Sequence, residues 1–530
     1  MGPSTRGSST TGEGMSRRDA LKTLGGVLAG SALSGSMGAS AQPQPTFGPS
    51  TGSGKLPKRP NILWITGEGV PLSALSCYGG RFLETPNIDR IAKEGVRFDN
   101  GFCTNGLCAP SRATLLTGAY SHVNGMTGNP EIKSPGQPRP HFDPAQETVA
   151  KILKRNGYQT GLVGKWHLDI NPADAGFDYF VYKQGAGGPY YMPTGYLGNP
   201  SMGSREVQHL RYDGYETDVM TDLCIKGLKQ FKQPFLMMMQ FFNTHRPWDP
   251  PHKYEHLYDK ARIPEPGTFW DDYAHRATPA RTARMRIEDM PDFHPPADLT
   301  GRQRKQWNYQ KYMEHFLGTL RSQDDNIGRL LKYLDDNGLA ENTIVVYTTD
   351  HGFFLGEHGW FDKRFMYEPS IRVPWMIRCP GAVGRGTVRN DWVINIDNAP
   401  TMLDLAGVPI PQEMQGKSIA PILRGQSLGG QAPAFYYHYY EFGDPHWVPP
   451  HYGIRTERYK LISYYTQNEW ELFDLEKDPD EMENLFIDNG RRIQPGYESV
   501  VPELVSQLKQ LREHYKDTTG FPVRLAPAGD

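Results

Sequence analysis

The stretch NGLCAPSRATLLTG, residues 105–118, sets the thiol of Cys108 just ahead of Pro110, Ser111 and Arg112. Pro110 suits the first turn of a helix, where its missing N–H is not needed, and Gly118 suits the helix end. Cys108 then stands at or just before a helix N-terminus. Free N–H groups and the helix dipole favour an anion there. A thiol so placed, beside an arginine, ionises more readily than usual. The chemistry on offer is nucleophilic; the alternative is a buried structural cysteine beside a salt-bridged arginine.

Other reactive groups recur behind apolar runs. NILWIT (61–66) leads into Gly67-Glu68-Gly69, and QTGLV (159–163) into Gly164-Lys165-Trp166-His167. PFLMMMQFF (234–242) leads into Asn243-Thr244-His245-Arg246, and TIVVYT (343–348) into Thr349-Asp350-His351-Gly352. Asp362-Lys363-Arg364 lies just upstream of a further run, VPWMI (373–377). Singly, each group is an ordinary surface residue. Repeated at one end of successive strands, they point to a shared site, because ligands of open parallel sheets bind beyond the carboxyl ends of the strands.

Those runs are the elements that must position the groups. They alternate with helical stretches, the pattern of a parallel sheet covered on both faces. The clearest helix spans about 307–337, with Leu317, Leu320, Ile327, Leu330, Leu331 and Leu334 at helical spacing and Asn337-Gly338 as its stop. After residue 434 come short strand-like pieces (452–464 and 470–475) and a helix near 501–515, which read as a smaller α+β subdomain. The organisation is thus a lead and export signal at 1–41, a Pro/Gly/Ser linker at 42–58, a catalytic domain at 59–434 and a C-terminal subdomain at 435–530. The lead carries Arg17-Arg18, a weakly apolar Gly/Ala/Leu stretch and a small-residue end at Ala39-Ser40-Ala41, the pattern of a twin-arginine signal. The chain is expected to be exported by the twin-arginine translocase to the periplasm or the medium.

Among the 530 residues, 57 basic and 59 acidic ones nearly cancel, so neither nucleic acid nor an anionic membrane is expected as a partner. No apolar run is long enough for a membrane span. The cysteines Cys77, Cys103, Cys108, Cys224 and Cys379 are too few and too scattered for a disulfide scaffold, and no C-x-x-C pair occurs.

CAPSRATLLTG fits the sulfatase signature C-x-P-S-R-x-x-x-x-T-G at every fixed position. With GKWHL, THRPWDPP, TTDHGFFLGEHGWFDKRF, DNAPTMLDLAGVP and WELFDLEKDPDEMENL in order, the chain from about Pro60 to about 485 resembles the formylglycine-dependent sulfatases, most of all bacterial enzymes that desulfate glycans. The resemblance implies an alkaline-phosphatase-like α/β fold: a large, mostly parallel sheet flanked by helices, with a small C-terminal α+β subdomain. It implies a sulfuric ester hydrolase in which a formylglycine-generating enzyme converts Cys108 to an aldehyde. One hydroxyl of the hydrated aldehyde would attack sulfur and displace the alcohol, and the second would expel sulfate. Arg112 would hold the hydrate. Lys165, His167, His245 and Lys363 would bind sulfate or protonate the leaving alcohol, with a histidine as the better acid. Glu68, Asp350, His351 and residue 108 would hold a divalent cation, Ca2+ by family habit.

One position departs from the family. Two acidic residues usually follow the first strand, and here Gly69 takes the second place. Fewer carboxylates should weaken calcium binding, and an imidazole donor leaves room for another metal. A phosphonate or phosphodiester hydrolase of the same superfamily and a non-catalytic binder of sulfated glycans are the alternatives. The aromatic segments 187–193 and 436–453 would either stack on sugars or pack a subdomain interface.

Overall fold

The computed structural model describes residues 55–132, 134, 138–185, 187–198, 208–382, 384–428, 434–443, 445–520 and 522–523. The expected export signal with Arg17 and Arg18, and most of the 42–58 linker, lie outside the described residues.

Ten strands form the main sheet: β1 (Asn61–Gly67), β2 (Val96–Phe102), β3 (Gln159–Lys165), β4 (Tyr179–Lys183), β5 (Thr194–Gly198), β6 (Gln208–Arg211), β7 (Phe235–Gln240), β8 (Thr343–Thr349), β9 (Trp375–Arg378) and β10 (Thr387–Ile394). Their order is β10-β2-β9-β8-β1-β7-β3-β4-β5-β6. The centre, β8-β1-β7-β3-β4, is parallel throughout. The sheet as a whole is mixed: β9 runs antiparallel to β8 and β2, and β5 and β6 form an antiparallel edge. The reversal of β9 has a consequence for the site. Its N-terminal end lies beside the carboxyl ends of the parallel strands, so the segment Asp362–Arg364 upstream of it reaches the same side.

The apolar runs are explained by burial on both faces. Along β1, Ile62 and Trp64 join one core while Leu63 and Ile65 join the other, and Met237 to Met239 of β7 alternate in the same way. One face is covered by α1 (Cys108–Thr117) and helices near residues 149–155 and 398–405. The other is covered by α2 (Glu216–Gln230) and α3 (Gly301–Asp336), the latter carrying the expected leucine stripe. A four-stranded antiparallel sheet follows, in the order β11 (Ala434–Tyr439), β12 (His451–Thr456), β13 (Tyr459–Tyr464) and β14 (Glu469–Asp474), packed against α4 (Val500–His514).

The helix α1 begins at Cys108 and is buried on every side. Gly118 closes it at φ +62°, and a Cβ there would lie 3.1 Å from Pro400 Cδ and 3.2 Å from the Ile396 carbonyl. All five cysteines are buried free thiols.

Candidate active site

Cys108, the first residue of α1, is 1% exposed. Its Sγ lies 3.2 Å from Glu68 Oε1, beyond the end of β1, and 3.4 Å from His351 Nε2, beyond the end of β8. Donor atoms of Glu68, Cys108, Asp350 and His351 all lie within 4.8 Å of one another. Burial and Glu68 oppose ionisation of the thiol, but Lys165, Lys363 and His351 outweigh them and hold it well below the usual thiol range. The helix mouth is thus an anion site, as its sequence implies.

Arg112, one turn along α1, clamps both carboxylates. It donates to Glu68 Oε2 at 2.7 Å and through Nε to Asp350 Oδ2 at 3.1 Å. Its other bonds go to Gln240 Oε1 at 2.8 Å and to the carbonyls of Lys165 and Phe241, so it pins the acids around Cys108. Lys165 Nζ adds a bond to Glu68 Oε2 at 2.8 Å. Burial raises the Glu68 carboxyl, yet Lys165, His351 and Arg112 carry it well below the carboxylate range. For Asp350, burial and the charge of Glu68 win, and its carboxyl is raised.

The two candidate acids differ. His167 Nε2 sits 2.8 Å from Glu131 Oε1, while its buried Nδ1 has no hydrogen-bond partner and is left for the group at position 108. Burial and Lys165 disfavour charge on this ring, but Cys108 and Glu131 prevail and raise it. His245 is half-buried, and its Nδ1–H donates to the Arg246 carbonyl at 2.9 Å, which leaves Nε2 available to a ligand. Burial, Lys363 and Lys165 push His245 down to about 3, so it is neutral in the substrate-free protein. Lys363 is buried; burial opposes its charge, but Asp362, Cys108 and Glu68 raise it. Every residue assigned from the sequence therefore converges on one cluster at the carboxyl ends of the parallel strands.

Several participants escape a sequence reading. Gln240 ends β7, and the strand-end pattern could have found it. Ser111, inside the signature, donates its hydroxyl to the Asp350 carbonyl, and Thr244 donates to the Glu68 carbonyl. Glu131 lies on a loop, and Glu441 joins the already expected Asp362 and Arg364 in a charged wall whose Arg364 and Glu441 both feel the charge of Cys108. His446 joins Asp362 at 3.3 Å. His167, Asp362 and Arg364 have φ values of 62°, 75° and 97°, a conformation that non-glycine residues hold only under constraint, which often marks a functional site.

The departure at Gly69 has a packing reason. Its φ is +56°, and a Cβ would lie 2.7 Å from Phe353 Cδ2 and 3.1 Å from His351 Cε1. An aromatic ring and an imidazole occupy the space in which a second acidic side chain would stand. The Gly69 amide still contributes, donating to Asp350 Oδ1 at 3.1 Å.

The remaining donors fit a divalent cation. His351 Nδ1–H donates to the Gly352 carbonyl at 2.8 Å, which turns Nε2 toward Glu68 Oε1 (3.6 Å) and Asp350 Oδ1 (3.5 Å), around a space that a cation could share. Such an outer bond is how proteins orient a metal-binding imidazole. Burial disfavours a proton on this ring, but Asp350 attracts one and raises it to about 9.

The aromatic segments are mostly structural. Tyr436, Tyr437, Tyr439, Tyr440 and Tyr452 are buried. Tyr437 Oη bridges the Gly106 amide at 3.0 Å and the Arg364 carbonyl at 2.6 Å, bracing the loop before Cys108. Tyr190 donates to the His245 carbonyl, Tyr215 to Asp249 at 2.9 Å and Tyr191 to Pro250 at 3.1 Å, so three hydroxyls hold the loop that carries His245.

Residues 60–408 match the sulfatase family, and residues 356–514 match the C-terminal region described as N-sulphoglucosamine sulphohydrolase. The N-acetylglucosamine-6-O-sulfatase of Bacteroides thetaiotaomicron is 39% identical over 512 residues, covering 87% of each chain. A solved structure described as a complex with its substrate D-glucosamine-2-N,6-O-disulfate superposes with a TM-score of 0.78 at 38% identity, covering 87% of this chain and 99% of that one. The phosphonate monoester hydrolase of Agrobacterium radiobacter shares the fold, with a TM-score of 0.65 at 21% identity.

Proposed function

The chain belongs to the sulfatase family, and from that premise we propose that it removes the 6-sulfate of an N-substituted glucosamine through a nucleophile made from Cys108. It is a sulfuric ester hydrolase of sulfated glycans. The observation that carries the finer reading is the 39% identity, over 87% of both chains, to an N-acetylglucosamine-6-O-sulfatase. The site supplies matching chemistry: a buried Cys108 between carboxylates and the cations Arg112, Lys165 and Lys363 suits attack on a sulfate ester.

In this reading Glu68, Asp350, His351 and an oxygen at position 108 would hold a divalent cation, Ca2+ by family habit, which would neutralise sulfate charge. His167, held by Glu131 through Nε2, turns Nδ1 toward the hydroxyl formed at position 108 and orients it. A bound sulfate places negative charge beside Lys165, Lys363 and His245. That charge opposes the burial and the lysine charges that keep His245 neutral, so the ring can take up a proton at Nε2 from water and pass it to the leaving sugar oxygen. Lys363 binds a sulfate oxygen. The charged wall of Asp362, Arg364 and His446 offers partners for sugar hydroxyls.

Maturation by a formylglycine-generating enzyme and export through the twin-arginine translocase complete the proposal. Among the described residues no helix is long and apolar enough to cross a membrane. The test pairs a mass spectrum of the Cys108 peptide with sulfate release. Protein from a maturing host should carry aldehyde at position 108 and hydrolyse N-acetylglucosamine 6-sulfate, while Cys108→Ser loses turnover by about 10³-fold or more. A retained thiol with full turnover, or preference for a matched phosphonate ester, would sink the reading.

A further inference from the structure

The pocket between Glu68, Asp350 and His351 is short of free oxygens. Arg112 and Lys165 both bond Glu68 Oε2, at 2.7 Å and 2.8 Å, and Arg112 Nε bonds Asp350 Oδ2 at 3.1 Å. Each carboxylate therefore keeps one oxygen for a cation, and neither can grip it with both. The remaining oxygen of Asp350 is itself partly engaged. Its Oδ1 accepts from the amides of Gly69 at 3.1 Å and His351 at 3.0 Å. Position 69 adds no side chain, because Phe353 fills that space. The nearby hydroxyls are committed too. Thr244 donates to the Glu68 carbonyl, and Thr349 donates to the Gly67 carbonyl at 3.1 Å while accepting from the Val70 amide at 3.2 Å.

What the chain can offer is Glu68 Oε1, Asp350 Oδ1, an oxygen formed at position 108, and a nitrogen, His351 Nε2. Among the described residues no further histidine, cysteine or acid joins this group. All four residues are buried. The nitrogen is well presented, since Nδ1–H is held by the Gly352 carbonyl at 2.8 Å. Ca2+ takes about six to eight oxygen ligands and relies on charged ones. Here Arg112 and Lys165 already compensate the two carboxylates, which weakens an ion held by charge alone. An imidazole nitrogen contributes little to such a hard ion. It strengthens the binding of first-row transition ions, more for Zn2+ than for Mn2+.

We propose that this site is built for a first-row divalent transition ion, in the order Zn2+ above Mn2+ above Ca2+, and not for the calcium of family habit; the proposal rests on the sulfatase reading above for the oxygen at position 108. Arg112 and Lys165 set this preference by occupying one oxygen of each carboxylate, and His351 sets it by supplying the nitrogen.

The experiment uses the matured full-length enzyme, with aldehyde at position 108 verified by mass. It is freed of metal with a chelator and titrated calorimetrically with CaCl2, MnCl2 or ZnCl2, all at about pH 7.5 because affinity depends on pH. Zn2+ should bind at least about 100-fold more tightly than Ca2+, with Mn2+ between them. Metal content after dialysis against an equal mixture of the three salts should follow the same order. His351→Asn exchanges the nitrogen donor for an amide oxygen. It should weaken Zn2+ and Mn2+ by about tenfold or more and Ca2+ by less than about threefold. If that variant melts early, the wild-type order decides alone. Ca2+ bound as tightly as Mn2+ or Zn2+, or an unchanged gap between the ions in folded His351→Asn, overturns the proposal. Sulfate release is scored separately on N-acetylglucosamine 6-sulfate and other sulfated sugars. Release in the presence of any of the ions keeps the parent reading whatever their order. The expected order without release from any sulfated sugar overturns the parent reading and leaves the ion preference standing.

Discussion

The site is built on competition between charges at single residues. Glu68 and Asp350 are buried together, which two carboxylates tolerate only with cations between them, and Arg112 and Lys165 supply part of that compensation. His351 supplies more: with its ring raised to about 9, it carries a proton near neutral pH in the metal-free protein. In the proposed cation site that proton sits on the nitrogen that would ligate, because Nδ1 is committed to the Gly352 carbonyl. Cation binding must expel it. Affinity for Ca2+ should rise about tenfold per pH unit up to about pH 9 and flatten above it. Titration calorimetry at pH 6.5, 7.5 and 8.5, in buffers of different ionisation enthalpy, measures both the slope and the released proton. A pH-independent affinity would mean that His351 is already neutral or does not ligate.

Among the elements, strand ends and one helix mouth carry the chemistry, and glycines let them approach. Gly164 has φ +109°, and a Cβ there would fall 2.0 Å from the Gln240 carbonyl, so β3 and β7 close on each other just before Lys165. Gly69 plays a similar part after β1, where Phe353 and His351 fill the space a side chain would need. Restoring the family's second carboxylate by Gly69→Asp alone should therefore fail. The aspartate meets Phe353 at a backbone angle that suits glycine, and should cost about 1–3 kcal/mol without tightening cation binding. Gly69→Asp combined with Phe353→Ala gives the carboxylate room and should bind Ca2+ more tightly than the single variant. Thermal melts and calorimetry on both proteins check this; a stable, tighter-binding single variant would show that the ring moves aside at little cost. The sequence reading placed these elements well, since apolar runs buried on both faces reveal strands and a leucine stripe reveals α3. It could not give β9 its antiparallel sense, because VPWMI is equally apolar in either direction.

At the scale of the whole molecule, the C-terminal sheet braces the loops around Cys108. Tyr437 braces the loop before Cys108, and the His438 amide donates to the Thr104 carbonyl at 3.0 Å. That sheet also holds buried histidines. His438 is pushed down to about 4 by burial, despite its Asp517 partner, and burial pushes His451 down to about 3. Both folded-state values lie below the ordinary histidine value of about 6.5. The unfolded chain therefore binds more protons below that pH, so their stability contribution is present above about pH 6.5 and is lost as pH falls toward 4. His438 alone should cost about 3 kcal/mol by pH 4. Melting temperature should drop by about 5–10 °C between pH 7 and pH 4. Hydrogen exchange should rise first in 434–474, and uniform loosening would contradict the assignment.

Sequence alone picked out Cys108 at its helix mouth, the charged groups behind each strand and the fold class, because local rules govern them: a helix start at Cys108 with a glycine stop at Gly118, apolar periodicity, and strand-end placement. It could not decide what Gly69 meant, which histidine would carry charge, or which aromatic rings remained open. Those depend on residues far apart in the chain: Phe353 beside Gly69, Glu131 beside His167, and Lys165 and Lys363 acting on His245. Burial and electrostatic fields are sums over neighbours in space, and only the tertiary structure brings those neighbours together.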